Sequence, residues 1–276
     1  MKKISIKKTI NNEDHDNICD FLVEMSGLSK IRVKGAMQKG ALHVKRDKGP
    51  FKRVRRAKSR LVKGQRIEFY YDETLLAIEP LQASLLYDLT DFSAWFKPPG
   101  MLTQGTKYGD HCSLIRFIEH FFKPSREVYP LHRLDREASG IVLAAHNKKA
   151  ASKLSYLFRK NAIGKSYKIE VAGRPENEGI IDSPLDGKKA LTSYQVIDND
   201  NEKGTSTLLV TIETGRFHQI RRHFNGIGHP VMGDPGYGRG NKNREGMKLA
   251  AIKLEFASPF SGEKIALHVP EKLLPW

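Results

Sequence analysis

Short apolar segments that follow one another along residues 83–276 constrain the fold more than any other feature of this chain. Alternating or continuous apolar runs predict strands, whereas helical spacing is confined to SLIRFIEHFF, KKAASKLSYLFRKN and a later stretch. The strand candidates are LLYDLTDFSAWFK, GIVLAA, SYKIEVAG, SYQVID, STLLVTIE, KLAAIKLEFAS and KIALHV. Because strand candidates succeed each other more often than they alternate with helices, we predict an α+β fold with an antiparallel-rich mixed sheet.

The beginning of the chain has a different pattern, which predicts a small α/β module. Apolar residues recur at helical spacing in NICDFLVEMSG, and Ser29 can cap a second short helix in SKIRVKGAMQKG. Two alternating stretches, ALHVKR and RIEFYYD, then predict strands. We therefore predict three parts of the chain: a module at 1–75, a linker at 76–84 that contains Pro80, and a larger domain at 85–276.

Positive charge is concentrated in the first quarter of the chain. The formal net charge is +16, and residues 1–75 carry 19 Lys and Arg against 9 Asp and Glu, a net +10. From Lys45 to Arg66, eleven basic residues accompany one acid, Asp47. A solvated surface explains such a run by itself, but an excess of this size also indicates a polyanionic partner, most often nucleic acid.

Composition excludes several classes of protein. The chain is 39% hydrophobic and 28% charged, which is typical of a globular protein rather than of a disordered chain or a membrane bundle. Cys19 and Cys112 are too few for a disulfide framework or a paired-cysteine zinc site. The basic opening MKKISIKKTI lacks the apolar core of a signal peptide, so we expect a cytoplasmic protein that has no membrane partner.

One cluster of polar residues lies in LHRLDREASGIVLAA, where Asp135 stands between Arg133 and Arg136. In an extended segment Arg133 and Asp135 share a face and Leu134 points away, so a cleft can receive the carboxylate with an arginine beside it. A surface ion pair at the end of a strand is the simpler interpretation. A serine hydrolase that uses Ser139 is disfavoured because the G-x-S-x-G motif is absent.

A second cluster lies in ETGRFHQIRRHFNGIGHPVMGDPGYGRG, which begins with a turn at Thr214-Gly215 and continues as an amphipathic helix. Its polar residues suit anion binding near a helix start, or an ion-paired surface helix. Metal binding by His218, His223 and His229 is disfavoured, because no carboxylate occurs among them at helical spacing. We therefore expect no metal site.

Four motifs in one order resemble those of the RluA-type pseudouridine synthases. HRLDREASG resembles the catalytic signature of that family, and FKPPG, GKSYKIEVAG and TGRFHQIRRHFNGIGHPVMGD resemble its other conserved segments. The resemblance spans residues 83–276 and implies a pseudouridine synthase fold that isomerises uridine in RNA. Two residues depart from the family pattern: Ala138 stands where Thr is usual, and Phe96 replaces a common Asn.

The resemblance implies roles for individual residues. Asp135 would attack the sugar or remove a ribose proton, Arg221 would be its ion-pair partner, and Tyr167 would lie against the uracil face. The implied substrate contacts are Arg133 in the RNA stack, Ile220 as an apolar wall, Lys165 on phosphate, and His132. The isomerisation is redox-neutral, so no cofactor is expected.

The N-terminal pattern resembles the S-four-like (alpha-L) RNA-binding domain over about residues 16–72. The RNA-binding candidates there are Lys30, Arg32, Lys34, Lys52, Arg53, Arg55 and Arg56. We expect a monomer that acts on ribosomal RNA of the large subunit or on transfer RNA. A non-catalytic RNA-binding or ribosome-assembly protein that retains the fold is the alternative, and a metal-dependent nuclease is a third hypothesis.

Overall fold

The computed structural model describes residues 2–11, 17–46 and 48–276, and it divides into two compact units. The first unit comprises Met1–Pro80 and Gln104–Phe117, and the second comprises Leu81–Thr103 and Ile118–Trp276. The division at Pro80 lies inside the linker that we predicted at 76–84. Residues 104–117, which we had placed in the larger domain, belong to the first unit.

The first unit packs two helices against a four-stranded antiparallel sheet, and a short helix ends it. Its elements are β1 (Lys3–Thr9), α1 (Ile18–Ser26), α2 (Lys30–Gln38), β2 (Leu42–Lys45), β3 (Lys52–Arg53), β4 (Arg66–Asp72) and α3 (Glu73–Ala77). The strand order is β1-β4-β2-β3. Leu22, Met37 and Phe69 are fully buried at the centre of the core between helices and sheet. The two predicted helices and the predicted strand pair are present, and the Ser29 hydroxyl caps α2 by accepting the N–H of Arg32 at 3.4 Å.

Strand β1 is an element that our interpretation of the sequence missed. It pairs with β4 along its full length, from Lys3 opposite Asp72 to Thr9 opposite Arg66. We had considered the opening only as a possible targeting segment. Its alternation of Ile4 and Ile6 with polar neighbours is nevertheless the pattern of a strand with one buried face.

Residues 104–117 are bound to the first unit by backbone and side-chain contacts. The N–H of Asp110 donates to the carbonyl of Lys39 at 3.0 Å. The ring of Tyr108 packs edge-on against Tyr70, with centroids 6.0 Å apart. No local pattern in the sequence indicates this excursion, because its partners lie about 40–70 positions earlier in the chain.

The second unit is built on a ten-stranded sheet. Its strands are β5 (Ser84–Asp88), β6 (Phe92–Lys97), β7 (Tyr129–Pro130), β8 (Ser139–Ala145), β9 (Gly164–Ala172), β10 (Glu178–Ile181), β11 (Thr192–Asp200), β12 (Thr205–Ile212), β13 (Leu249–Ala257) and β14 (Lys264–His268). Its helices are α4 (Leu114–Phe121), which begins in the first unit, α5 (Lys148–Arg159) and α6 (Gln219–Gly226), with a short 3-10 helix at Glu271–Leu273. The main strand order is β10-β11-β12-β9-β13-β8-β6-β5, with β14 beside β13 and β7 beside β8.

The sheet is mixed and antiparallel-rich, as predicted. Within residues 81–276, all of which are described, the only parallel pairing joins β8 to β13. LLYDLTDFSAWFK, which we treated as one strand, forms the hairpin of β5 and β6 because the chain reverses at Thr90, whose φ is +65°. Within the described residues, no helix is long and apolar enough to cross a membrane.

A close approach between β8 and β13 fixes the start of β8. Gly140 has φ +117°, and a Cβ atom there would collide with the backbone of Ala251. Every residue of β8 is buried. The loop that precedes β8 contains Asp135, so the rigid strand anchors the predicted catalytic residue.

Candidate active site

Asp135 lies in the loop between β7 and β8, and two side chains of the second cluster face its carboxylate. Arg221 Nη1 donates to Asp135 Oδ2 at 2.9 Å. His218 Nε2 is 3.6 Å from Asp135 Oδ1. The structure therefore brings together the two clusters that the sequence separates by about 85 residues, including the predicted pair of Asp135 and Arg221.

Arg221 is itself held by a second, deeper aspartate. Arg221 Nε and Nη2 donate to the two oxygens of Asp234 at 2.7 and 2.8 Å, and Asp234 is fully buried. The Asp234 carboxylate also accepts the backbone N–H groups of Gly236 and Tyr237 at 2.8 and 3.0 Å. Burial alone would raise the pKa of Asp234, but Arg221 and these two N–H groups shift it below its ordinary value. The guanidinium is thus fixed before any substrate arrives.

Asp234 is a functional candidate that our interpretation of the sequence missed. Its signal was the GD at the end of the TGRFHQIRRHFNGIGHPVMGD segment, which we quoted for the resemblance without assigning a role. Gly233 precedes it with φ +72°, and a Cβ atom at Gly233 would collide with the carbonyl of Gly246. This local chain path, which requires glycine, places the carboxylate under Arg221.

A cavity of about 310 Å³ opens above the pair, and its size lies at the lower end of the range for ligand pockets, about 300–1,000 Å³. Asp135, Tyr167 and Ile220 line it, together with the exposed Arg133. Ile220 is 5% exposed, as expected of a wall residue. Burial and then the charge of Asp135 raise the pKa of Tyr167, so its phenol is neutral at physiological pH. Arg133 is exposed and has no acidic partner within the described part of the chain.

His218 has a left-handed backbone, with φ +52° and ψ +33°, immediately before α6. Its Nδ1 lies 3.1 Å from the hydroxyl of Tyr237, and its ring stacks on Phe217 at 3.7 Å. Burial lowers the pKa of His218, and Arg221 lowers it further although Asp135 opposes the shift. A neutral ring whose Nδ1 accepts a hydrogen bond from the Tyr237 hydroxyl carries its own hydrogen on Nε2, the nitrogen nearer to Asp135. A strained backbone of this kind is typical of functional sites.

The FKPPG motif contacts the Asp135 loop through hydrogen bonds from Lys97 and Gly100 to the carbonyl of Arg136. Lys97 is fully buried, and its ammonium donates to the carbonyls of Pro98, Met101 and Arg136 at 3.0, 2.9 and 3.2 Å. Burial lowers the pKa of Lys97 to about 7. The N–H of Gly100 also donates to Arg136 O at 2.7 Å.

Both departures from the family pattern have a structural context. Ala138 is buried at the cavity wall and offers no hydroxyl. The loop is instead held by Thr103, whose hydroxyl donates to Leu134 O at 2.9 Å and accepts Leu134 N–H at 3.1 Å. Phe96 is 6% exposed and belongs to the apolar core of the sheet.

Two predicted substrate contacts do not line the cavity. His132 Nε2 accepts the N–H of Leu143 at 3.0 Å, its ring stacks on Phe158, and burial followed by the charge of Lys165 lowers its pKa to about 3. Lys165 is 9% exposed, and burial lowers its pKa. Contacts of His132 and Lys165 with RNA stay predictions.

The three histidines that we considered as metal ligands have separate protein partners. His223 lies between the Thr192 hydroxyl and the Ser183 carbonyl, and His229 is bound to the Ala172 carbonyl. Among the described residues, no three His, Cys, Asp or Glu side chains are placed to hold a metal ion.

The seven basic residues predicted to bind RNA fall into three environments. Lys30 and Arg32 form surface pairs with Asp20 and Glu73 at 2.6 and 3.3 Å. Arg53 and Arg55 both bind Asp110, at 3.2 and 2.5 Å. Lys34, Lys52 and Arg56 are exposed and pair with no acidic residue in the described ranges.

Comparisons with known proteins agree with this arrangement. The sequence model of the family described as RNA pseudouridylate synthase matches residues 91–226, a range that includes Asp135, Tyr167 and Arg221. The ribosomal large subunit pseudouridine synthase D of Haemophilus influenzae is 26% identical over 247 residues, which are 77% of this chain and 76% of that one. The tRNA pseudouridine synthase C of Vibrio parahaemolyticus is 28% identical over 223 residues, which are 68% of this chain and 90% of that one.

A solved structure supports the fold independently of the motifs. Human RNA Pseudouridylate Synthase Domain Containing 1 superposes with a TM-score of 0.60 at 24% identity, over 72% of this chain and 88% of that one. This chain and that protein therefore share a fold. Because the sequence motifs, the family model and the relatives all indicate one class of enzyme, the chain is an RNA pseudouridine synthase that resembles the RluA type.

Proposed function

We propose that this chain isomerises specific uridines of large-subunit ribosomal RNA to pseudouridine in the Asp135 cavity. The observation that carries the proposal is the contact between Asp135 and Arg221 inside a cavity that Tyr167 and Ile220 also line. Arg221 is only 4% exposed, so this contact is not an ordinary surface ion pair. The free-energy cost of burying a guanidinium has to be offset by well-placed partners. A protein that only binds RNA has no need for such a pair beside an open cavity.

Each side chain has a part in the proposed reaction. The uracil must leave the sugar, turn, and rejoin through a ring carbon, so the base and ribose need a water-poor site and a carboxylate at the sugar. Asp135 supplies that carboxylate, either as the nucleophile or as the base that removes a ribose proton. Arg221 holds it in the charged form and in one orientation. Tyr167 and Ile220 confine the detached uracil while it turns.

The target uridine has to leave the RNA stack to reach Asp135. Arg133 lines the cavity, is exposed and has no acidic partner in the described ranges, so its planar guanidinium is available to the neighbouring base or phosphate. Phe217 also lines the cavity and is 62% exposed, although nothing in the sequence had marked it as a site residue. An exposed aromatic ring at this place suits stacking with an RNA base.

The first unit would hold the RNA on its exposed cations. Lys34, Lys52 and Arg56 are the members of the predicted set that have no acidic partner among the described residues, and each can bind a phosphate. The cytoplasmic location and the monomeric state stay predictions.

The choice of RNA is tested in cells. We would map pseudouridine in ribosomal and transfer RNA from a strain that lacks the protein, and again after the wild-type gene is restored. Our proposal predicts that at least one site in large-subunit ribosomal RNA is lost and then recovered. Loss confined to transfer RNA would mean that transfer RNA is the substrate instead of ribosomal RNA, in line with the name of the Vibrio relative. Loss at no site would favour the non-catalytic alternative.

A further inference from the structure

A second cavity, of about 430 Å³, lies in the first unit, and of its lining residues only Lys52 has been given a role in the proposed function. Residues from the start of α1, from the β2–β3 hairpin, and from the basic loop between β3 and β4 line it. Its volume is within the range of sites for small ligands or for one unit of a polymer. Its chemistry differs between the floor, the rim and one buried wall.

The floor of the cavity is apolar. Ile18 is 1% exposed and Val44 is 8% exposed, and Val54 packs against the same core. A ligand that covers this floor must present an apolar face. The flat face of a heterocyclic base has this property.

The rim is positively charged. Arg46, Lys52 and Arg60 line the cavity and are exposed, and in the described ranges none of them has an acidic partner. Arg53 also lines the cavity, but its guanidinium is engaged by Asp110 and by the carbonyl of Thr106. The described lining residues include no acid, so the rim favours an anionic ligand.

One wall of the cavity presents a hydrogen-bond donor, the side-chain amide of Gln65, that a ligand can reach. Gln65 is 4% exposed, and its Oε1 accepts the N–H of Val62 at 3.2 Å. Its amide nitrogen donates to no described residue. The amide nitrogen is not among the buried side-chain atoms that lack a partner, so solvent reaches it, and an acceptor on a ligand in the cavity can replace that water.

We propose that this cavity binds one nucleotide of the RNA, with the base on the apolar floor, the Gln65 amide donating to an acceptor on the base edge, and Arg46, Lys52 and Arg60 on the flanking phosphates. The apolar floor suits the face of a base, the Gln65 amide suits its edge, and the charged rim suits the phosphates. No aromatic residue lines the cavity among the described residues, so recognition depends on the base edge and on shape rather than on stacking. This inference rests on the proposed role of the first unit in holding RNA.

The test compares variants of the full chain for binding to a fluorescein-labelled, 12-nucleotide single-stranded RNA of mixed sequence. Gln65→Glu keeps an acceptor for Val62 N–H and nearly the same volume, but it replaces the donor with a carboxylate oxygen, which repels an acceptor on the base edge. We expect its affinity to fall about tenfold at constant thermal stability. Unchanged affinity of the folded variant would overturn the proposal.

A second variant does not disturb the buried wall. Arg46→Gln with Arg60→Gln removes two exposed charges, and we expect the slope of log affinity against log salt to become shallower by about 1.4. Lys63→Gln is the matched control, because Lys63 is exposed on the same loop as Arg60 but does not line the cavity. If each removed arginine alters the slope no more than the removal of Lys63 does, the cavity is not the binding site.

Cross-linking locates the nucleotide directly. With 4-thiouridine in the same RNA, irradiation should link nucleotides to peptides within residues 44–65 of the wild-type protein, and less so in Gln65→Glu. Links found only in other peptides would contradict the proposal. Pseudouridine formation by the control Lys63→Gln should match that of the wild type. If even the wild-type protein forms no pseudouridine, the proposed function fails, and the binding results still decide this inference on their own.

Discussion

The Asp135 cavity and the surface of the first unit both use arginine and lysine, but the chain treats these charges in opposite ways. Arg221 is buried and is fixed by two aspartates, Asp135 and Asp234. Lys34 and Lys52 are exposed and pair with no acid in the described ranges. A buried charge acts through its position, whereas exposed charges act through their number and are screened by salt within about 8 Å. Catalysis requires a buried charge in a fixed position, whereas binding of a polyanion requires several exposed charges.

Asp110 marks an intermediate case within the first unit. It engages Arg53 and Arg55, which are half-buried, so these arginines help to hold residues 104–117 in place. The sequence contains one continuous basic run, but the structure separates structural arginines from those available to RNA. Single charge substitutions can therefore distinguish the two regions more cleanly than deletion of the module, because a deletion would leave residues 104–117 without their partners.

The largest effect is expected from Arg221→Lys. A lysine keeps the charge but cannot donate to Asp135 and to both oxygens of Asp234, so the rate of pseudouridine formation should fall at least about 1,000-fold. The free energy of unfolding should fall by about 3 kcal/mol, because Asp234 loses its bidentate partner. Arg222→Lys is the adjacent control, since Arg222 pairs with Asp186 at the surface. If the two substitutions lowered the reaction rate and the free energy of unfolding equally, the distinction between buried and exposed charges would be wrong.

Lys97→Met should have the next largest effect. It leaves three carbonyls around the Asp135 loop without their common donor, and we expect the free energy of unfolding to fall by about 3 kcal/mol. The exposed Lys149→Met, measured by the same denaturant titration, should change it by less than about 0.5 kcal/mol. A Lys97→Met protein as stable as the control would show that the buried ammonium does not hold the loop.

The exposed cations should affect binding rather than chemistry. Replacing Lys34, Lys52 and Arg56 together by Gln should make the salt dependence of RNA affinity shallower by about 2 and leave turnover at saturating RNA unchanged. Lys30→Gln with Arg32→Gln should have a smaller effect per charge, because these residues already pair with Asp20 and Glu73. The opposite ranking would mean that surface pairs do not determine which cations are available to RNA.

The smallest effect concerns pH. The folded-state pKa of Asp234 lies below the unfolded value, so its ion pair stabilises the protein above about pH 4, and this contribution is lost as the pH falls through the folded-state pKa. The difference in unfolding free energy between the wild type and Asp234→Asn should therefore be largest near neutral pH and should shrink below about pH 4. A difference that is constant with pH would indicate that the charge of Asp234 has no role in holding Arg221.

The strand pattern and four motifs predicted the fold class, Asp135 and Arg221, because strands and motifs are local in sequence. The partner of Arg221 was not assigned, since the approach of Asp234 depends on the glycine-dependent path at Gly233. The ion pairs of Arg53 and Arg55 with Asp110 could not be predicted either, because Asp110 lies more than 50 positions further along the chain. Contacts that join distant segments are what the local pattern cannot predict.

The central claim is that Asp135 performs chemistry in the cavity, and one measurement tests it most directly. Purified wild-type protein, Asp135→Asn and the exposed control Asp198→Asn are each incubated with RNA from a strain that lacks the protein, and pseudouridine is then mapped. We predict the same modified sites for the wild type and Asp198→Asn, and a rate at least about 1,000-fold lower for Asp135→Asn, with RNA affinity retained. Modification by Asp135→Asn at the wild-type rate would contradict the account.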